Sequence, residues 1–323
     1  MEQTMMKKRS LGATGIQVTP IGLGVMQFSG GAGMMGKAFP VMSQEEKTSL
    51  VKAALDGGIS WFDTAELYGF GQSERNLSAA LQSLGTQAGQ VVVATKWWPL
   101  FRTASHILNS IDERLDCLKP FPIDLYYIHN PLSFSSPEAE MEAMAKLVET
   151  GKIRSVGVSN FNAKNMHRAH AALAKVGLKL AANQMHYSLA HRQIESDGTL
   201  QTAKELGVSI VAYTPLEYGL LTGIYHKNPD LLTQKSFYYR RRLQGRIEAT
   251  RPLVTAMEKM AEKYSASVGQ VALNWLVSFH GETVLTIPGA TKVSQVAQNA
   301  MAMKFQLVQE ELDELDRLSK AFL

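Results

Sequence analysis

Four residues of this chain could act on a proton together: Asp63 and, five places later, Tyr68 in WFDTAELYG, Lys96 in VVVATKWW, and His129 in LYYIHN. A phenol ordinarily holds its proton to a pH of about 10, too reluctant for acid–base work near neutrality. A neighbouring ammonium changes that: at about 4 Å and an effective dielectric near 20, two charges interact by on the order of 4 kcal/mol before desolvation. That is enough to lower a phenol's pKa by roughly one to three. A partly buried lysine needs a counter-charge, and Asp63 is the natural one. His129 can donate a hydrogen bond to a substrate oxygen. The set reads as a tuned phenol giving a proton to an oxygen that gains charge, as reduction of a carbonyl requires.

Such a set works only if the chain brings its members to one place. Short β-rich runs alternate with longer amphipathic ones: PIGLGVMQF, GISWFDT, QVVVATKW, IDLYYIHN, IRSVGVSN, LAANQMHY, VSIVAYTP and TVLTIPG are strand candidates. Helical patterns lie between them, among them SQEEKTSLVKAALDGG, RTASHILNSIDERLDCLKP, SPEAEMEAMAKLVETGK and SASVGQVALNWLVSFHG. Strand–helix alternation implies parallel pairing through right-handed crossovers. Repeated eight times without a linker-like break, it predicts one α/β domain over residues 1–323, a (β/α)8 TIM barrel. That fold ordinarily takes about 250 residues. The surplus falls in an N-terminal hairpin-like segment, a long loop after strand seven from Leu216 to about Arg251, and an extra C-terminal helix, QEELDELDRLSKAFL. Barrels of this kind place their chemistry where strands end, and Asp63, Lys96, His129, Ser159, Asn160, Gln184 and Tyr213 all stand at such ends.

The motifs FDTAELYG, ATKWW, YYIHNP, VGVSNF, NQMHYSL, AYTPLEYGLLTG and TIPGAT, in that order across nearly the whole chain, resemble the aldo-keto reductase superfamily. The resemblance implies a reductase of aldehydes and ketones that uses NADPH, with NADH as the alternative. It implies Tyr68 as general acid, Lys96 and Asp63 as its tuning pair, and His129 as the group that orients the carbonyl. Ser159, Asn160 and Gln184 would hold the nicotinamide carboxamide, Tyr213 would stack on the ring, and Gly24, Val25 and Met26 would border the cofactor. Thr214, Pro215, Leu216, Gly219, Leu220, Leu221 and Gly223 would wrap the pyrophosphate. The adenosine end would fall to Pro288, Gly289, Ala290, Thr291, Lys292, Gln295, Gln298 and Asn299. This last stretch departs from the family's common pattern, which often has arginine where Thr291 or Gln295 stands and an acid where Gln298 stands. Lys292 is its one basic residue, able to meet a 2′-phosphate as a point charge. Phe28, Trp97, Trp98 and Asn130, with Gln27, are candidates for the substrate pocket, which favours uncharged carbonyls. The superfamily also includes channel-associated β subunits that bind nicotinamide and serve as binding modules, so a regulatory subunit is the alternative function.

Other features narrow the field. The 323 residues carry a formal charge of +4, mildly basic but too weak to argue for nucleic acid. No apolar run reaches the roughly 18 residues of a membrane span and no signal-peptide pattern follows the opening basic residues, so a cytoplasmic enzyme with a small-molecule partner is expected. Cys117, the one cysteine, reads as a small core residue. The GAGMMG at 31–36 satisfies a dinucleotide fingerprint by letter. A helix must open directly at those glycines, and KAFPVMS intervenes, so residues 29–42 read as a loop over the barrel mouth. His167 and His170 lack a third ligand, and the basic run YYRRRLQGR at 238–246 is either a solvated loop or a clasp over the cofactor.

Overall fold

A computed structural model describes residues 6–31, 40–234 and 237–323; most of the 29–42 loop, with the greater part of GAGMMG, lies outside the described residues. A two-stranded antiparallel hairpin, β1 (Arg9–Ser10) and β2 (Gln17–Val18), opens the chain. Eight parallel strands follow: β3 (Leu23–Gly24), β4 (Trp61–Asp63), β5 (Val92–Trp97), β6 (Leu125–Ile128), β7 (Val156–Ser159), β8 (Leu180–His186), β9 (Ser209–Tyr213) and β10 (Val284–Thr286). Each pairs with the next in sequence order. Parallel bridges Ile21↔Thr286 and Gly24↔Gly289 join the first to the last, closing the sheet into the expected (β/α)8 barrel.

Several helices begin where the sequence supplies a side-chain acceptor for their first N–H groups. In α1 (Gln44–Asp56), Ser43 and Glu46 form a reciprocal capping box; α2 is Gln72–Ser83 and α3 Ser105–Leu118. Ser136 caps α4 (Pro137–Glu149), with proline at the first position, where a missing N–H costs nothing. Asn162 caps α5 (Ala163–Ala174) and α6 is Thr199–Leu206. The connection after β9 is largely helical rather than the loop expected: α7 (Phe237–Gln244) holds the basic run up to Gln244, and α8 (Ile247–Tyr264) is an 18-residue helix. Its start was obscured by the arginines and by Pro252, which lies inside it. Then come α9 (Val268–Ser278, boxed by Ser267 and Gln270), α10 (Val293–Met301) and the C-terminal α11 (Gln309–Ser319).

Alternation along the strands divides the core in two. Phe62, Val93, Tyr126, Ile128 and Val158 face the helix layer. Trp61, Ala94, Leu125, Tyr127, Val211 and Leu285 fill the barrel interior, together with Leu11, Ile16 and Val18 of the hairpin, which stops the lower end. Tyr127 occupies space that any other residue at 157 would contest: a Cβ on Gly157 would stand 2.6 Å from its ring carbons. With the lower end filled, the polar residues that follow in the inward-facing rows have only the upper mouth to occupy.

Candidate active site

Inward alternation places Asp63 above Trp61 and Lys96 above Ala94 at the C-terminal ends of β4 and β5. Lys96 and Asp63 form an ion pair with both side chains almost wholly buried. Lys96 also donates to the Thr64 carbonyl at 2.7 Å, and Gln184 at the end of β8 donates to the second Asp63 oxygen at 2.9 Å. The turn after β4 returns Tyr68 to the same spot, its ring centroid 5.1 Å from the lysine Nζ. The Tyr127 ring lies beneath, 5.9 Å from the same atom. His129, just past β6, meets Tyr68 edge to face at 5.8 Å and Trp98 edge to face at 5.3 Å. The four titratable residues expected to converge do so.

Burial decides their protonation. It pulls the Lys96 ammonium down, but Asp63 and then Tyr68 outweigh it and leave the lysine above its ordinary value, charged at neutral pH. Burial pushes the Asp63 carboxyl up, with Lys96 and Gln184 offsetting part of the rise. Burial also pushes the Tyr68 phenol above its usual 10, and the pull of Lys96 does not overcome it. The expectation of a phenol lowered by its lysine is therefore corrected: loss of water around the phenolate costs more than the ammonium returns. His129 lies well below the usual histidine range through burial and then the charge of Lys96. It is a neutral imidazole, whose buried Nδ1 has no hydrogen-bond partner among the described residues.

A second group of polar residues lies beside the first. Ser159 donates to the Gln184 carbonyl at 3.0 Å, Asn160 donates to the Ser159 hydroxyl at 3.1 Å, and the Tyr213 hydroxyl donates to Asn160 Oδ1 at 3.0 Å. Beyond Tyr213 the backbone turns left-handed at Thr214, Glu217, Tyr218, Gly219 and Gly223. Pro215, Leu220 and Leu221 are buried and Leu216 half-buried, so peptide groups rather than the leucine side chains at 220 and 221 are what this segment can offer a ligand. The Gly24↔Gly289 bridge sets Gly24, Val25 and Met26 against Pro288, Gly289 and Ala290. Lys292 is exposed at the N-cap of α10, and Gln295 accepts from the Thr291 and Lys292 N–H groups at 2.9 and 3.1 Å. Its side-chain carbonyl thus caps the helix. Gln298 is exposed and Asn299 buried.

The pocket candidates divide. Trp98 is half-buried at the mouth beside His129. Trp97 is fully buried on the outer face of β5, its indole N–H donating to His106 Nδ1 at 3.1 Å. Phe28 is likewise buried in the outer core. Neither is brought to the mouth, because each side chain points into the helix layer. Asn130 accepts from the Leu132 N–H at 3.1 Å in a local turn. Glu66 and Arg102, not among the sequence candidates, also belong to this mouth. Glu66 accepts the Trp98 N–H at 3.0 Å and pairs with Arg102 at 2.7 Å, while Arg102 donates to the Trp98 carbonyl at 3.0 Å. The two hold Trp98 by both sides of its backbone. Glu66 lies within DTAELYG, where its position between Asp63 and Tyr68 was a signal; nothing local marks Arg102. The basic run is helical through Gln244, with the Arg242 guanidinium 5.3 Å over the Tyr218 ring, and its last residue, Arg246, is the N-cap of α8.

A closed parallel barrel with its polar residues collected at the C-terminal strand ends is the architecture of barrel enzymes. The chain belongs to the aldo/keto reductase family, whose model matches residues 20–320. It is 34% identical over 308 residues to an uncharacterized oxidoreductase of Mycobacterium tuberculosis, covering 95% of this chain and 91% of that one. It is 33% identical over 316 residues to an aldo-keto reductase of Strobilurus tenacellus, covering 94% and 89%. Among solved structures it resembles a thermostable aldo-keto reductase in complex with the inhibitor epalrestat, at TM-score 0.78 and 29% identity over 97% of this chain and all of that one. It also resembles an aldo-keto reductase from Klebsiella pneumoniae in complex with NADPH, at TM-score 0.73 and 28% identity over 98% and 96%. No helix among the described residues is long and apolar enough to cross a membrane.

Proposed function

We propose that this protein reduces an aldehyde or ketone to the alcohol with NADPH as the reductant and Tyr68 as the proton donor. The observation that carries the reading is the buried Asp63–Lys96 pair with the Tyr68 ring beside its ammonium and His129 edge to face with that ring at the barrel mouth. Neutral His129 donates a hydrogen bond to the carbonyl oxygen and orients it. Tyr68 transfers its proton to that oxygen as negative charge builds there. The phenolate left behind is favoured by the Lys96 ammonium, through its charge and through a hydrogen bond to the phenolic oxygen. Asp63 keeps the lysine charged and aimed, so no group reorganises during the step.

The residues fit a nicotinamide cofactor. A half-buried Tyr213 ring, its hydroxyl tied to Asn160, offers a face for stacking. Ser159, Asn160 and Gln184 supply amides and a hydroxyl for a carboxamide, and the left-handed backbone after β9 supplies N–H groups for a pyrophosphate. Lys292, exposed at the start of α10, suits a 2′-phosphate. The cofactor, when bound, supplies the hydride. Trp98 beside His129 favours an uncharged substrate with an apolar body. The test is oxidation of NADPH and of NADH across a panel of aldehydes, ketones and sugars. Turnover with carbonyls and preference for NADPH are expected; a protein that binds NADPH tightly yet consumes none with any carbonyl overturns the reading.

A further inference from the structure

The Tyr213 ring has a built backing. The His186 imidazole, two residues beyond Gln184 at the end of β8, lies nearly parallel to it, 13° between planes and 5.4 Å between centroids. His191 stacks on the same imidazole at 17° and 3.8 Å, making a column of three rings. His186 is held by a carboxylate: its Nε2 lies 2.6 Å from Glu217 Oε1, which also accepts from the Ser188 hydroxyl at 3.0 Å. The other Glu217 oxygen pairs with Arg246 Nη1 at 2.6 Å, and Arg246 also donates to the Ala190 carbonyl.

Glu217 itself is fully buried and left-handed, with φ 47°, and Tyr218 after it is left-handed too, with φ 57°. Two consecutive non-glycine residues in that region carry strain that the surroundings must hold. A carboxylate with no exposure is costly unless every oxygen is bonded; here both are. Burial pushes its carboxyl up, but His186 and Arg246 outweigh this and hold it down to about 2. The same residue thus braces the ring behind Tyr213 and pins the backbone from Leu216 to Gly223, and Arg246 ties both to the N-cap of α8.

We propose that His186 and Glu217, secured by Arg246, are positioning residues that fix the plane of Tyr213 for stacking against the nicotinamide. The inference rests on the NADPH reading above. It is tested by titrating the purified protein with NADPH and, separately, with adenosine 2′,5′-bisphosphate, which shares the adenosine end but has no nicotinamide to stack. His186→Ala is expected to weaken NADPH about fivefold, within the weight of one aromatic stack, with bisphosphate affinity unchanged. His186→Phe, which restores a ring, recovers most of the loss, and Glu217→Gln, which keeps the shape and loses the charge toward Arg246, weakens NADPH in the same sense. In turnover the KM for NADPH rises while the KM for the carbonyl stays put.

Equal NADPH affinity in wild type and His186→Ala overturns the inference, as do parallel losses for NADPH and the bisphosphate, which mark a general structural role. Where melting curves show that a variant does not fold, the wild type supplies the measurement: the His186 imidazole resonances shift on adding NADPH and hold still on adding the bisphosphate. Resonances indifferent to both also overturn it. A wild-type protein that binds no nicotinamide cofactor overturns the cofactor reading and this inference with it, whereas binding that is tight but insensitive to His186 overturns this inference alone.

Discussion

Gln184 donates its side-chain amide across the barrel mouth to Asp63 at 2.9 Å, so both oxygens of the buried carboxylate are occupied, one by Lys96 and one by Gln184. The aspartate is fixed by partners on β5 and β8 and has no second orientation that keeps both. Asp63→Asn preserves the shape but leaves Lys96 as a buried, uncompensated ammonium. The expected loss is about 3–5 kcal/mol in urea unfolding, the cost of breaking a buried pair. An asparagine variant as stable as wild type would show that the carboxylate is not what holds Lys96 charged.

Tyr68→Phe keeps the buried ring and removes only the hydroxyl. Loss of a general acid is expected to lower kcat for reduction by about 10²–10⁴-fold, with NADPH affinity by fluorescence titration within twofold of wild type. An undiminished kcat would assign the proton to another donor.

The rise of the Tyr68 phenol above 10 has a sign that kinetics can read. The proton is present throughout the neutral range, so the reduction rate is expected to stay level from about pH 6 to 9 and fall only above about 10. Oxidation of an alcohol, which needs the phenolate, should climb over the same span. A tenfold fall in the reduction rate between pH 6 and 9 would contradict a protonated, buried phenol.

Lys292→Ala removes the basic residue at the start of α10. Affinity for NADPH is expected to drop about five- to tenfold and that for NADH to hold, because a point charge reads the 2′-phosphate and little else. The contrast should shrink as salt is raised. Equal losses for both cofactors would remove Lys292 from that role.

Glu140, in α4, is 2% exposed, and its Oε1 has no hydrogen-bond partner among the described residues. Burial pushes its carboxyl up to about 7, against a hydrogen bond with Ser133. The folded protein therefore binds this proton more tightly than the unfolded chain does. The stabilisation is complete below the unfolded value of 4.5 and is lost as pH rises through about 7. Glu140→Gln should stabilise the protein by about 3 kcal/mol at pH 8 and leave it unchanged near pH 4. Glu74, also held near 7, leaves part of the slope in the variant. Urea midpoints across pH decide it; equal midpoints at pH 8 would refute the buried-carboxyl account.

The residues at the strand ends were legible because alternation has a period of two and an apolar run that stops at Asp63, Lys96 or His129 shows where a barrel mouth must be. The same rule could have turned Trp97 away from the pocket: if Lys96 faces in, its neighbour faces out and Trp98 faces in again. Helix α8 was lost behind the arginines and Pro252, since periodicity is hard to see where a charge run and a helix breaker fall together. Glu217 stood in plain view in PLEYGLLTG, but its partners His186 and Arg246 lie about 30 residues away on either side. No local pattern joins them.

Period, turn chemistry and residue type are properties of short stretches, and they were enough to determine eight strands, their closure into a barrel and the identity of the four residues at its mouth. Which face of Trp97 and Phe28 is covered, what backs Tyr213, and whether burial or Lys96 prevails at Tyr68 were decided only by the tertiary structure. Each depends on how much water is removed and which charges approach from distant segments, and neither quantity exists until the barrel has closed.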